Sequence, residues 1–167
     1  MTEIQKFEEE NIETLISWIN NAEDLMQFAG PKFTFPLTKS QIAESLADKN
    51  RFAFAVMDKS DEIIGHAEIY FKENSFALGR ILINNENRGK GYGKFLTERL
   101  LEFGFKKSNM EYAELNVFDW NKPAIKSYEK AGFKIDSNQT LLREINGKIW
   151  TAINMKIYRN EYEKTCR

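Results

Sequence analysis

Apolar residues recur along the chain with two periods, of about 3.6 and of two residues, which predict helices and strands respectively. The predicted helices cover 11–20, 38–49, a stretch that begins at residue 92, and 123–130. The predicted strands cover 4–7, 52–57, 63–71, 76–83, 112–118, 141–145 and 149–158. Residues 25–37 are broken by Gly and Pro, so we expect an aromatic loop there.

Turn residues agree with this division of the chain. Pro123 in a first turn and Gly132 just past the end bound the last predicted helix. The pair Asn146-Gly147 is a strong turn signal that joins the last two strands into a hairpin. Together the elements predict an α+β (mixed α/β) fold, in which one mixed sheet of about seven strands is flanked by about four helices.

The composition is that of one domain with its own core, since 42% of the 167 residues are hydrophobic and 13% are aromatic. A net charge of −1 argues against a nucleic-acid-binding surface. The sequence has neither a membrane-spanning apolar segment nor the pattern of a secretion signal, so we expect a cytoplasmic protein with no membrane partner. Cys166 and His66 each stand alone, so we expect no internal disulfide and no metal.

A glycine-rich stretch, Arg88-Gly89-Lys90-Gly91-Tyr92-Gly93-Lys94, lies where an apolar strand gives way to an amphipathic helix. Free backbone N–H groups and the positive end of the helix dipole meet there, and glycine lets an anion approach them. Six basic and two acidic residues between 88 and 107 agree with an anion site. The spacing matches neither a P-loop nor a dinucleotide fingerprint, and a turn merely solvated by lysines remains the alternative.

A second informative stretch covers residues 115–133. Asn121 lies between a strand and a helix, where it caps the helix or contacts a ligand. Tyr128 follows Ala124 by four residues, so both side chains face the same way. A structural tyrosine is the alternative to a functional one.

The two stretches together resemble the GNAT superfamily of N-acetyltransferases. Arg88, Gly91 and Gly93 match its acyl-CoA loop behind the strand 81–83. Its second motif is matched by Asn121, Ala124, Tyr128, Gly132 and Phe133. The resemblance covers residues 51–158, and the terminal hairpin is similar to the branch with ribosomal-protein N-terminal and spermidine acetyltransferases.

The resemblance implies one acetyltransferase domain over 1–167, in which the central strands splay into a V. Residues 1–50 would be a helical region on the substrate side, 51–133 the acetyl-CoA-binding core, and 134–160 the C-terminal strands. Acetyl-CoA would be the co-substrate, with an unidentified primary amine, of a small molecule or a protein N-terminus, as acceptor. The protein would be a monomer or a homodimer.

The resemblance also implies the cofactor contacts. Pyrophosphate would lie against the amides of Arg88, Gly89, Lys90, Gly91, Tyr92, Gly93 and Lys94. Pantetheine would pair with Ile81, Leu82 and Ile83 and touch Asn121 and Tyr128. A backbone N–H near Leu82 or Ile83 would polarise the acetyl carbonyl. Tyr128 would be the general acid that protonates the departing thiolate.

The acceptor side is less determined by the sequence. Glu68, with Glu73 as a weaker candidate, is the expected general base, although an exposed strand Glu or deprotonation through water are alternatives. The expected acceptor-binding residues are aromatic and lie in the first 35 positions: Trp18, Phe28, Phe33 and Phe35. Two other functions remain open, a catalytically silent acyl-CoA-binding or sensing module and a regulatory domain that binds a nucleotide phosphate.

Overall fold

A computed structural model describes residues 3–166 as a seven-stranded sheet with six α-helices around it. The strands are β1 (Glu3–Lys6), β2 (Arg51–Met57), β3 (Ile63–Phe71), β4 (Ser75–Ile83), β5 (Tyr112–Phe118), β6 (Lys134–Ile145) and β7 (Lys148–Tyr158). The helices are α1 (Ile12–Ser17), α2 (Ala22–Ala29), α3 (Lys39–Leu46), α4 (Tyr92–Lys107), α5 (Lys122–Lys130) and α6 (Arg159–Thr165). The mixed α/β class is therefore confirmed.

The strand order is β1-β2-β3-β4-β5-β7-β6, and every neighbouring pair is antiparallel except β4 and β5. Strands β2, β3 and β4 form an antiparallel meander. The predicted hairpin of β6 and β7 is also confirmed, with Asn146 and Gly147 at φ 49° and 73° in its turn. Positive φ at both positions is what a tight hairpin turn requires, which explains the residue types there.

The sheet opens in its middle. Strands β4 and β5 pair only at Ser75–Tyr112, Phe76–Ala113 and Ala77–Glu114, although each strand continues beyond the last pair. From there β4 stays with β3 as far as Ile83, and β5 stays with β7 as far as Phe118. The predicted V-shaped splay is thus confirmed.

Two hydrophobic clusters fill the two faces of the sheet. One joins α4 and α5 to the central strands, and the other joins α1, α2 and α3 to the opposite face. Helix α4 approaches the sheet closely at Gly104, where an added Cβ would lie 2.3 Å from the ring of Phe76. Each face can therefore position side chains at the opening between β4 and β5.

The N-terminal region is more helical than expected. Helix α2 occupies part of the segment 25–37 that was predicted as a loop, and Asn21 caps it by accepting a hydrogen bond from Asp24 N at 2.8 Å. Gly30, at φ 59°, ends the helix after only eight residues. Gly30-Pro31 thus stops a short helix rather than preventing it. The short α6 was not predicted either, so six helices replace the expected four.

Two features are absent from residues 3–166. None of the helices in that range is both long and apolar enough to cross a membrane. No group of three or more His, Cys, Asp or Glu side chains in the same range is arranged to hold a metal ion.

Candidate active site

The glycine-rich stretch forms the turn that starts α4. Gly91 is the N-cap residue at φ 88°, and Gly89 before it has φ 76°. Glycine is favoured at both positions because of the positive φ and not because of crowding, since an added Cβ at either position would have no atom within 4 Å. Phe95 is the first residue after the cap whose N–H makes the i to i−4 hydrogen bond of the helix, to Gly91 O at 3.2 Å. The preceding amides point out of the helix end, as an anion site requires.

Basic side chains of this loop are engaged differently. Arg88 Nε donates to Ile83 O at 3.0 Å and so ties the loop to the end of β4. Lys90 Nζ donates to Asn87 Oδ1 at 3.1 Å, and Lys94 forms an exposed ion pair with Glu98. Exposed pairs of this kind contribute little to stability, so both lysines are available to a ligand.

A cavity of about 1040 Å³ occupies the opening between β4 and β5 and continues towards α2. Many of the predicted site residues line it, from both sides of the sheet: Trp18, Phe28, Glu68, Ile81, Leu82, Ile83, Arg88, Gly93, Asn121 and Tyr128. The remaining predicted residues lie outside its lining: Phe33, Phe35, Gly89, Lys90, Gly91, Tyr92 and Lys94. Of these, Gly89, Lys90 and Gly91 form the turn at one end of the cavity, and Tyr92 and Lys94 lie in the first turn of α4.

Helix α5 brings Asn121 and Tyr128 to the cavity. Asn121 caps the helix, because its Oδ1 accepts a hydrogen bond from Ala124 N at 3.3 Å. Tyr128 is half-buried, with its ring edge-on to that of Phe133. Burial raises the pKa of Tyr128 to about 12, so its hydroxyl is protonated at neutral pH.

Glu68 lies in a cluster of charged groups on the face covered by α1 to α3, and it is only 3% exposed. Its Oε2 accepts hydrogen bonds from Arg51 Nη1 at 2.6 Å and from Arg80 Nη1 at 3.0 Å. His66 Nε2 lies 3.1 Å from Oε1 and must carry the proton of that contact, because an ionised carboxylate only accepts.

These contacts determine the protonation of Glu68. Burial on its own would raise the pKa, but the hydrogen bond from His66 and the charges of Arg80 and Arg51 outweigh it and lower the pKa to about 2. A carboxylate with so low a pKa is a poor proton acceptor. Glu73, the weaker candidate for the base, is exposed in the turn between β3 and β4. The low pKa of Glu68 argues against it as the general base, and Glu73 lies outside the cavity lining, so the identity of the base stays a prediction.

Arg80 has an unusual backbone conformation. Strand β4 carries a bulge opposite Ala67, where Arg80 and Ile81 face a single residue of β3, and Arg80 has φ 49°. Its guanidinium stacks on the ring of Phe33 at 4.2 Å and donates to Ser45 Oγ at 2.8 Å. Sequence reasoning missed Arg51 and Arg80, and the one available signal was an arginine inside an otherwise apolar strand.

The four predicted acceptor-binding aromatics do not act together. Trp18 and Phe28 line the cavity, and Phe28 is buried beside the ring of His66 at 5.8 Å. Phe33 lies under Arg80 instead, and Phe35 is 42% exposed on the surface. Pro31 and Lys32 line the cavity and Phe33 beyond them contacts Arg80, so Trp18 and Phe28 are the two predicted rings in the lining itself.

A further polar cluster lies at the closed end of the V and was also missed. Glu114 accepts hydrogen bonds from Lys72 Nζ at 2.6 Å, Ser75 Oγ at 3.0 Å and Asn154 Nδ2 at 3.3 Å. Because Glu114 belongs to the last pair between β4 and β5, this cluster holds together the strands on both sides of the vertex.

Comparison with known proteins agrees with this architecture. Residues 17–133 match the profile of the Acetyltransferase (GNAT) family. Spermidine N(1)-acetyltransferase of Vibrio cholerae is 27% identical over 150 residues, which cover 86% of each chain. The Escherichia coli K12 protein of the same name is 33% identical over 85 residues, or 50% of this chain and 45% of that one. A crystal structure of the Vibrio cholerae spermidine N-acetyltransferase with CoA and spermine, 23% identical, superposes with a TM-score of 0.81 over 97% of this chain and 98% of that one.

Proposed function

The chain belongs to the GNAT acetyltransferase family, and we propose that it transfers the acetyl group of acetyl-CoA to a primary amine of a small molecule or a protein N-terminus. Enzymes of this family use acetyl-CoA as co-substrate. The observation that carries the proposal is the cavity between β4 and β5, which has the glycine turn at one end and the hydroxyl-bearing Tyr128 in its wall. We assign acetyl-CoA to residues 51–133 and the acceptor to the side of the cavity that residues 1–50 cover, with 134–160 completing the cavity.

The cofactor can be positioned from the hydrogen bonding of β4. Asn84 N donates to Ile64 O across the ladder at 2.9 Å, so alternation turns the backbone groups of Ile83 away from β3 and towards the opening. The backbone groups of Leu82 point towards β3, so Ile83 is the better of the two predicted N–H donors to the acetyl carbonyl. In this proposal pantetheine lies along the free edge of β4, and pyrophosphate meets the amides that begin α4.

Tyr128 is the proposed proton donor to the leaving thiolate. Its pKa of about 12 exceeds the ~8.5 of a thiol by about 3.5 units, so full proton transfer is uphill by about 5 kcal/mol before the cofactor binds. The hydroxyl therefore acts first as a hydrogen-bond donor to the sulfur, and its proton follows as charge develops there. Positioning of amine and thioester supplies much of the remaining acceleration.

The acceptor amine must lose a proton before it attacks. Transfer from a lysine-like ammonium of pKa ~10.4 to Glu68, with a pKa of about 2, would be uphill by about 8 units, or about 11 kcal/mol. We propose instead that the proton leaves through water to bulk solvent, which at pH 7 costs about 4.6 kcal/mol for such an ammonium. Arg51 and Arg80 favour the neutral amine, because nearby positive charge lowers the pKa of an ammonium.

Assays of thiol release from acetyl-CoA over a panel of primary amines test this proposal. The panel includes spermidine, because the relatives compared above are named for it and polyamines are the second candidate acceptors. Calorimetry with CoA, and with ATP as the control, measures binding separately. Turnover with at least one amine is the expected result, whereas tight CoA binding without turnover on any amine would favour a silent acyl-CoA-binding module.

A further inference from the structure

The charged cluster around Glu68 has more positive charge than its own residues neutralise. Two guanidinium groups, those of Arg51 and Arg80, share the single carboxylate of Glu68. Both arginine side chains are largely removed from solvent, with 17% and 8% of their surface exposed, and both line the cavity. An excess of one positive charge in a sheltered cavity is costly unless an anion accompanies it.

The same cluster has more hydrogen-bond donors than acceptors. Two guanidinium groups carry about ten N–H donors. Within residues 3–166, the side-chain acceptors they reach are the two oxygens of Glu68 and the hydroxyl of Ser45. Arg51 Nε is buried and has no partner in that part of the chain. The guanidinium donors other than this buried Nε suit a planar anion that accepts two hydrogen bonds from an arginine.

The backbone at Arg80 also points to function. A non-glycine residue in the left-handed region costs of order 1 kcal/mol or more, and such residues concentrate at ligand sites. Arg80 takes that conformation at the bulge, directly before Ile81 on the free edge of β4. Since a strand rises about 3.3 Å per residue, the guanidinium is anchored within a residue or two of the edge assigned to pantetheine.

From this charge excess, donor excess and position we propose that the acceptor is an amine that also carries a carboxylate, which Arg51 and Arg80 bind. The inference rests on the proposed acetyl transfer and specifies its substrate class. A carboxylate matches the net charge of the cluster, whereas a phosphate monoester brings about −1.5 to −2 and would overcompensate it. Arg80 lies three residues before Ile83, or about 10 Å along the strand, so the amine and the carboxylate can belong to one small molecule such as an amino acid.

The test compares matched acceptors that differ only in the carboxylate: an amino acid, its carboxamide and its decarboxylated amine, with spermidine alongside. The expected result is a kcat/KM for the amino acid about 10- to 100-fold above that for its carboxamide, which is the range of a charged hydrogen bond. Equal values, or spermidine as the best acceptor, would overturn the inference and leave the acetyl transfer intact.

A binding experiment makes the outcome independent of turnover. Calorimetry of the CoA-bound protein with an N-acetyl amino acid and with its amide is expected to give at least tenfold tighter binding of the acid, and equal affinities would refute carboxylate recognition. Arg80→Lys keeps the charge without the planar fork, and we expect it to remove most of that preference while CoA affinity stays near that of the control Arg99→Lys. A cooperative thermal unfolding transition shows that the variant is folded. Arg99 is an exposed arginine on α4 that pairs with Glu102. A preference unchanged in Arg80→Lys, with folding intact, would also contradict the proposal.

Discussion

Replacing Glu68 by glutamine should destabilise the protein in a way that depends on pH. The pKa of this carboxyl falls from 4.5 to about 2 on folding, a difference of about 2.5 units that is worth about 3 kcal/mol. Because the folded-state pKa is the lower one, this stabilisation is present above pH 4.5 and is lost as the pH falls towards 2. Breaking a buried ion pair from one side costs about 3–5 kcal/mol, since Arg51 and Arg80 are left without their counter-charge.

Urea unfolding followed by tryptophan fluorescence measures the effect. At pH 7 we expect the free energy of unfolding of Glu68→Gln to lie about 3–5 kcal/mol below that of the wild type. Between pH 7 and pH 3 the gap should narrow by about 2 kcal/mol, because by pH 3 the wild type has lost most of the contribution of this carboxylate. The quantity to compare is the difference in the free energy of unfolding between the two proteins, because the other carboxyl groups titrate equally in both and cancel.

Glu73→Gln is the matched control, because it removes a carboxylate from the exposed turn between β3 and β4. Its stability should stay within about 0.5 kcal/mol of the wild type at every pH. A gap for Glu68→Gln below 1 kcal/mol at pH 7, or one that is constant from pH 7 to pH 3, would refute the ion-pair account of the cluster.

Three other substitutions, one of them with Phe35→Ala as its control, test separate parts of the structure. Tyr128→Phe should lower kcat by about 100-fold or more and leave the affinity for CoA nearly unchanged, and unchanged turnover would remove this tyrosine from the mechanism. Gly104→Ala should lower the free energy of unfolding by about 1–3 kcal/mol, because its Cβ would overlap the buried ring of Phe76, and a more stable variant in urea would show that the ring can move. Trp18→Ala should raise the KM for the acceptor more than the KM for acetyl-CoA, because Trp18 lines the cavity. Phe35→Ala, at an exposed ring, should change neither KM. Equal effects of the two substitutions on the KM for the acceptor would place the acceptor elsewhere.

Much of the sheet could be predicted from the sequence, because its strands are apolar runs bounded by turn residues. Strands β3 and β5 have the predicted limits, 63–71 and 112–118. The glycine turn and the cap by Asn121 were also predictable, since both depend on neighbours in the sequence. Helix α2 was not, because its eight residues end at a Gly-Pro pair that is more typical of a loop.

The charged cluster could not be predicted, because it depends on strand register and on the bulge. Arg51, Glu68 and Arg80 are 17 and 12 residues apart and meet only when β2, β3 and β4 are aligned. No local pattern marks a bulge, so an arginine in an apolar strand could not be assigned to a face. The protonation of Glu68 follows from these same contacts, which is why a carboxylate that looked like a base from the sequence is a poor one in the structure.

The opening between β4 and β5 has a consequence for the cooperativity of folding. In terms of backbone hydrogen bonds, the sheet consists of a four-stranded half and a three-stranded half that share only three residue pairs. The polar cluster at Glu114 and the packing of α4 and α5 carry the remaining connection between the halves. A ligand that pairs with the free edge of β4 would add a stabilising link to the folded state alone, and so couple the two halves more tightly. Amides of β4 beyond residue 77 should therefore exchange with solvent more slowly when CoA is bound, while those of the β6–β7 hairpin change little.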